Sequence, residues 1–445
     1  MMNNQFIAQA YGKSLNYTDI PNRLYTEYDV KKGLRNEDGT GVRVGLTRVA
    51  DVVGYEYVDG QKVNIPGKLF YRGINVEDLV MGKGDSHFGY EEVCFLLLFG
   101  FLPTKNELNQ FVLVIRQSYS LPLGYLEMNF LRRPSRDIMN LLQLAVLSLY
   151  NYDEDPDNTD PYETLLKGLN VLAKMPLIIS YGYQSQMHYF HNRSLIIHYA
   201  KPEYSIAENI LYMIRPNGEF SPQEANILDV LLMLQADHGG GNNSTFTNVV
   251  ISSTGTDIYS TMAGSIGSLK GPKHGGANIR VREMMDAVVN EVGYTTDEKK
   301  LRGVIHKILD HDFYDKSGLV YGVGHAVYTV SDPRAEVIKG FCERLAAEKG
   351  RLKEFEFMCA FEEAAKEEVG AGKDKAISNN VDFYSGFAYQ MMNIPAELYT
   401  PLFACARLVG WLAHNIENKK YDGRIMRPAT KYVGETLEYQ EMKKR

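Results

Sequence analysis

Strand signals in this 445-residue chain are confined to one short window. The run Val52 to Val58, the Asp59-Gly60 turn pair and the extended stretch Lys62 to Tyr71 predict a small β-hairpin. Most of the remainder is helical in pattern. Thr104-Lys-Asn-Glu107 and Ser221-Pro-Gln-Glu224 each match a capping box, the second with proline at the first helical position, so helices are expected over about 105–119 and 222–237. The 222–237 helix carries Ala225, Leu228, Leu231, Leu232 and Gln235 at helical spacing and breaks on Asp237-His238-Gly239-Gly240-Gly241. A further helix from about 257 to 270 is rich in small residues and stops at Gly271-Pro272, and another starts near Asn278. The expected class is mainly α with one hairpin. The length exceeds the roughly 250–300 residues at which a single core stops growing, so two domains or lobes are expected.

Composition narrows the function classes. With 44% hydrophobic and 23% charged residues the chain is an ordinary globular one. A net charge of -7 supplies no general field for nucleic acid or an anionic membrane, so neither is an expected partner, and any anionic ligand must be met by local cations. Cys94, Cys342, Cys359 and Cys405 are widely spaced without a CxxC pair and read as reduced thiols. The first twenty residues have neither an apolar signal core nor an arginine, and no stretch reaches the ~18 apolar residues of a membrane span; the expected compartment is the cytoplasm.

Several motif-like patterns carry no chemistry. The acidic run between Asn151 and Pro161 lacks the glycine and distal glutamate of a calcium loop. Gly264-Ser265-Ile-Gly267 resembles a nucleophile elbow but lies inside a helix without a preceding strand, and Gly322-Val-Gly324 lacks the third glycine of a dinucleotide fingerprint. His188, His191 and His198 have no carboxylate or thiolate at ligand spacing, so no metal site is expected.

Three histidines are different. His238 in ADHGGGNNSTF, His274 in LKGPKHGGAN and His325 in YGVGHAVYTVSDPRA each sit on a glycine-flanked turn, where backbone approaches a ligand closely. A fourth segment, NNVDFYSG, presents Asp382 just before an apolar helix. Three such histidines and a carboxylate suit proton-transfer chemistry.

These segments, with VDGQKVNIPGKLFYRG, AENILYMI at 207–214, TPLFACARLVGWLAH at 400–414 and RIMRPATKYVG at 424–434, closely resemble the citrate synthase family from about residue 40 to 435. The resemblance implies a nearly all-helical homodimer with a large domain over 1–279 and 387–445 and a small, mobile acyl-CoA domain over 280–386. It implies condensation of acetyl-CoA with oxaloacetate and hydrolysis to citrate and CoA, an entry step of the tricarboxylic acid cycle, with acetyl-CoA as substrate and no cofactor. Asp382 matches the catalytic base, His274 the donor to the thioester oxygen, and His325 the residue that polarises the ketone. His238, Arg334, Arg407 and Arg427 match substrate ligands, Arg427 reaching across from the partner subunit. Val320, Gly322, Val323, Gly324 and Ala326 match the CoA-binding turn, and Lys373 and Lys375 stand where some members carry a Lys-x-Lys pair. Gly239 replaces a glutamate common after the first histidine, Ala326 an arginine found in many bacterial members, and Ala429 a basic residue. The neighbouring readings are 2-methylcitrate synthase, which uses propionyl-CoA, a citryl-CoA-cleaving lyase, and a non-catalytic acyl-CoA or dicarboxylate-binding paralogue.

Overall fold

The computed structural model describes residues 4–325, 327–372, 376–421 and 423–444. The chain divides into two compact units, one made of the residues up to Gly45 with those from Met426 onward, the other of Leu46–Ile425. The first unit holds helices Asn4–Thr18 and Arg23–Glu27 and a lone bridge between Arg35 and Gly41. Within it the Lys431 ammonium lies 5.5 Å from the Tyr28 ring centre.

The second unit opens with an antiparallel three-stranded sheet, β1 Ala50–Val58, β2 Gln61–Tyr71 and β3 Ile74–Asn75, in that order. Asp59 and Gly60 both take positive φ (51° and 78°), as a tight two-residue hairpin turn demands. Val58 accordingly pairs with Gln61. The expected hairpin is therefore present, and the two-residue β3 adds an edge too short to read from sequence.

Helices make up the rest, 58% of the chain against 6% strand. Those that position the site are α1 Pro161–His191, α2 Pro222–Gln235, α3 Asn243–Ser252, α4 Ile258–Lys270, α5 Ala277–Val292, α6 Pro333–Glu348, α7 Leu352–Gly370, α8 Val381–Met391 and α9 Tyr399–Tyr421. Both expected capping boxes form, at Thr104/Glu107 and Ser221/Glu224. The acidic run before α1 is structural: Asp160 caps the helix, and the Lys167 ammonium bonds the Asp155 and Asn158 carbonyls. Ser265 is packed inside α4, its hydroxyl donating to the Thr261 carbonyl and accepting from Asn248. His198 bonds the Arg215 and Pro216 carbonyls, and no metal-ligand cluster exists among the described residues.

α9 runs through the middle of the core, with Tyr399 to Ile416 all buried. Leu408, Val409 and Leu412, each at 0% exposure, contribute roughly 1.5–3 kcal/mol apiece by leaving water. Among them lie polar groups at helical spacing, Arg407, Trp411 and His414, which burial tolerates only where partners exist. No helix among the described residues is long and apolar enough to cross a membrane.

Candidate active site

α2 ends at Gln235, two residues short of expectation, because other groups take over its last carbonyls. The Tyr71 hydroxyl of β2, fully buried, lies 3.1–3.3 Å from the carbonyls of Met233, Leu234 and Asp237 and accepts from the Asp237 N–H at 3.2 Å. Gly239 adopts φ +78° and donates its N–H to the Asp237 carboxylate at 2.7 Å. That carboxylate also faces His414 Nε2 at 3.3 Å. The turn so fixed leaves the His238 ring edge-on to His325, 5.4 Å between centres, and to Tyr328 at 5.6 Å. His238 Nε2 is shielded from solvent and meets no partner among the described residues. Burial, then the charges of Arg334 and Arg407, hold this histidine well below its usual pKa, so it is neutral.

His325 is set by its own turn. Its Nδ1 accepts the backbone N–H groups of Val327 (3.0 Å) and Tyr328 (2.9 Å), and its ring stacks on Tyr328 at 4.6 Å. An Nδ1 that accepts two hydrogen bonds carries no proton, so the neutral tautomer assigned from this network bears its hydrogen on Nε2. The hairpin buttresses this turn from below. The Gly67 N–H donates to the Ser331 carbonyl at 3.0 Å, and a Cβ at Gly67 would lie 2.3 Å from the same oxygen.

His274 lies on the turn between α4 and α5. The Gly275 N–H donates to the Leu269 carbonyl and Thr400 donates to the Gly275 carbonyl, which pins the turn to α9. His274 Nε2 is 3.0 Å from Ser244 Oγ, which accepts from the Trp411 indole N–H at 3.1 Å and sits 2.9 Å from Asn242 Oδ1. Burial, followed by the Arg407 charge, pushes the His274 pKa down to about 4, so the ring is neutral at physiological pH. α5 begins at Ala277, close to the helix start expected at Asn278, yet burial is the larger cause of neutrality.

Asp382 stands in the first turn of α8, its N–H capped by the Asn380 side chain at 3.0 Å. Its Oδ1 is shielded and unpaired among the described residues. Burial pushes its pKa up to about 6, against the opposing pull of Arg334 and Arg407. Arg334, 4% exposed, forms a forked pair with Asp332, Nε to Oδ1 at 3.0 Å and Nη2 to Oδ2 at 2.7 Å. Burial alone would lower its pKa, but Asp332 more than reverses that. Arg407 is fully buried, and burial lowers its pKa to about 10, still charged at neutral pH. Its Nε donates to the Gln235 carbonyl at 2.7 Å, while Nη1 and Nη2 have no hydrogen-bond partner among the described residues. A buried cation with two open donors is a ready receptor for a carboxylate.

The fold thus brings His238, His274, His325, Asp382, Arg334 and Arg407 within electrostatic reach of one another, and Arg407 acts on His238, His274 and Asp382 alike. Val320, Gly322, Val323 and Gly324 form the turn before His325, which pairs with 378–380: Gly324 donates to the Ser378 carbonyl and Asn380 to that of Gly322. Arg427 belongs to the other unit, exposed there. Ala326, Lys373 and Lys375 lie outside the described residues. Sequence reasoning assigned no role to Tyr71, Asp237, Ser244, Asn380, Trp411 or His414. A signal existed for two of them, since Arg407, Trp411 and His414 follow i, i+4, i+7 and share one helix face.

The family of the citrate synthase C-terminal domain matches residues 39–429 of this chain. The chain belongs to the citrate synthase family. It is an acyltransferase of the citrate synthase type. A curated citrate synthase from Haloferax volcanii is 35% identical over 92% of this chain and 96% of its own length. A 2-methylcitrate synthase from Shewanella oneidensis is 32% identical over 82% and 90%. Among solved structures, the citrate synthase from Thermoplasma acidophilum, in ternary complex with carboxymethyl coenzyme A and oxaloacetate, superposes with a TM-score of 0.75 at 26% identity, covering 94% of this chain and 99% of that one.

Proposed function

We propose that this citrate synthase family member condenses acetyl-CoA with oxaloacetate and water to give citrate and CoA. The observation that carries the reading is the solvent-shielded Asp382 Oδ1, without a partner among the described residues, which shares the field of the buried Arg407 with two neutral imidazoles. A methyl carbon next to a thioester is a weak acid and yields its proton only to a close, desolvated base. Asp382 removes that proton. His274, neutral, donates a hydrogen bond to the thioester oxygen as the enol forms, its ring oriented by the 3.0 Å contact between Nε2 and Ser244 Oγ.

The enol carbon then attacks the ketone of oxaloacetate, forming the new carbon–carbon bond. His325 polarises that ketone through Nε2–H and gives its proton to the alkoxide, while His238 hydrogen-bonds the same substrate. Arg334 and Arg407 bind the carboxylates, and Arg427 adds a third cation from the partner of a homodimer. Water finally cleaves the citryl thioester, releasing CoA as the thiol. We assign residues 280–386, which include the 320–324 turn, to an acyl-CoA lobe that closes over the site and excludes water. The Thermoplasma acidophilum relative, described with a CoA analogue and oxaloacetate bound, supports both substrates.

A second reading, propionyl-CoA as the acyl donor, is favoured by the 2-methylcitrate synthases among the relatives. One methylene in an apolar pocket separates the two substrates by only about 1–3 kcal/mol. The initial rate of thiol release from acetyl-CoA against propionyl-CoA, with oxaloacetate saturating, decides between them. A higher kcat/KM for acetyl-CoA is expected, and a propionyl preference overturns the ranking.

A further inference from the structure

Asn380 stands where the turn bearing His325 meets the helix bearing Asp382. Its backbone N–H donates to the Gly322 carbonyl at 3.0 Å. Both ends of its side chain are committed to backbone groups next to the two reactive residues. Oδ1 accepts the Asp382 N–H at 3.0 Å, and Nδ2 donates to the carbonyl of Gly324, the residue before His325, at 3.2 Å. The ladder around it is short, with Val323 opposite Asn379, Gly324 N–H on the Ser378 carbonyl at 2.7 Å, and the Ser378 hydroxyl on the Tyr328 carbonyl at 2.9 Å.

Capping α8 needs only an acceptor, which serine or aspartate supplies as well as asparagine. Holding the Gly324 carbonyl at the same time needs a donor on the same short side chain. Serine carries both functions on one oxygen, a bond closer to the backbone; the amide puts acceptor and donor on separate atoms, Oδ1 toward Asp382 and Nδ2 toward Gly324. Gly322 and Gly324, at φ +83° and +104°, give the turn a backbone with no side chain of its own to brace it, so the brace comes from residue 380.

We propose that Asn380 is a positioning residue that fixes the spacing between the Asp382 carboxylate and the His325 imidazole. The inference rests on the citrate synthase reading above. In that reaction one group takes a proton from the acyl methyl carbon while the other polarises the ketone that the same carbon attacks, so the two must stay in register. A misplacement of about 1 Å costs on the order of 100-fold in rate. The bond to Gly324 is what sets Asn380 apart from an ordinary helix cap.

The test compares Asn380→Ser and Asn380→Asp with the unaltered enzyme, because both variants keep an acceptor for the Asp382 N–H, while aspartate has no donor and the serine hydroxyl sits one bond short of the Nδ2 position that reaches Gly324. Assays at pH 8.5 keep Asp382 ionised in all three, so the charge added by aspartate does not mask the result. The expected outcome is a fall in kcat per folded site of at least about tenfold in both, with KM for each substrate moving less than about threefold, since only transition-state geometry is disturbed. The thermal midpoint stays near that of the unaltered protein. Full turnover in both variants, or a loss that merely follows the unfolded fraction, overturns the inference. If the unaltered protein itself releases no thiol from acetyl-CoA or propionyl-CoA with oxaloacetate, it is the functional reading that fails instead.

Discussion

The ring of His325 lies face to face with the ring of Tyr328, 4.6 Å between centres, while its Nδ1 accepts the Tyr328 backbone N–H at 2.9 Å. One neighbour thus sets both the plane and the tautomer of the imidazole. Tyr328 is fully buried, and its hydroxyl donates to the Lys68 carbonyl of β2 at 3.3 Å. Tyr328→Leu keeps the backbone bond and removes the stack, and kcat should fall about tenfold through a loosened ring. Tyr328→Phe keeps the stack and loses one hydrogen bond, costing about 1 kcal/mol of stability with little change in kcat. Steady-state rates and thermal midpoints of the two variants check the split.

Ser244 should matter through its contacts with His274 and Trp411. Ser244→Ala leaves the buried Trp411 indole N–H without its acceptor, at a cost of about 1–3 kcal/mol in unfolding free energy. It also frees His274 Nε2, so the ring loses its orienting contact, and kcat should drop roughly 100-fold. Trp411→Phe should destabilise comparably but keep most of the activity, because the serine–histidine contact survives. Denaturant unfolding and kcat measured on both variants separate the two effects.

The pH dependence follows from the directions of the shifts. Asp382 must be ionised to act, and its pKa is raised to about 6, so kcat/KM should fall as pH drops through about 6. His274, at about 4, stays neutral across this range and adds no limb of its own. A rate profile from pH 5 to 8 checks this, and a profile that stays flat down to pH 5 would count against the raised carboxyl.

Stability should respond to Asp382 with the opposite sign to an ordinary salt-bridged carboxylate. Its folded pKa lies above the unfolded value near 3.8, so the folded state binds the proton more tightly, and the ionised group costs stability at pH above about 6. That cost is relieved as pH falls through 6. Asp382→Asn should therefore raise the unfolding free energy at pH 8, by at most about 3 kcal/mol, and the gain should shrink toward pH 5. Denaturant titrations at the two pH values check it.

Much of this architecture was legible in the sequence, for identifiable reasons. The Asp59-Gly60 turn and the two capping boxes are local signals, decided within four residues, and all three formed. The glycine-flanked histidines and Asp382 were visible because turns and helix starts carry composition cues. What stayed hidden is what depends on long-range approach. Tyr71 is 166 positions from the Asp237 carbonyl it bonds, and Trp411 is 167 from Ser244. Asn380 reads as a plain helix cap until the 320–324 turn is placed beside it. The short end of α2 has the same origin, since a hydroxyl from β2 occupies the carbonyls that another helical turn would have used.

The central claim is that Asp382 is the base for the acyl methyl proton in a pocket whose substrate-binding groups are otherwise intact. The most direct measurement is thiol release from acetyl-CoA by Asp382→Asn, paired with the thermal shift that oxaloacetate induces in the same variant. The account predicts turnover reduced by at least about 1,000-fold, with the oxaloacetate-dependent stabilisation retained, because Arg334, Arg407, His238 and His325 are untouched. Turnover within tenfold of the unaltered enzyme would contradict it.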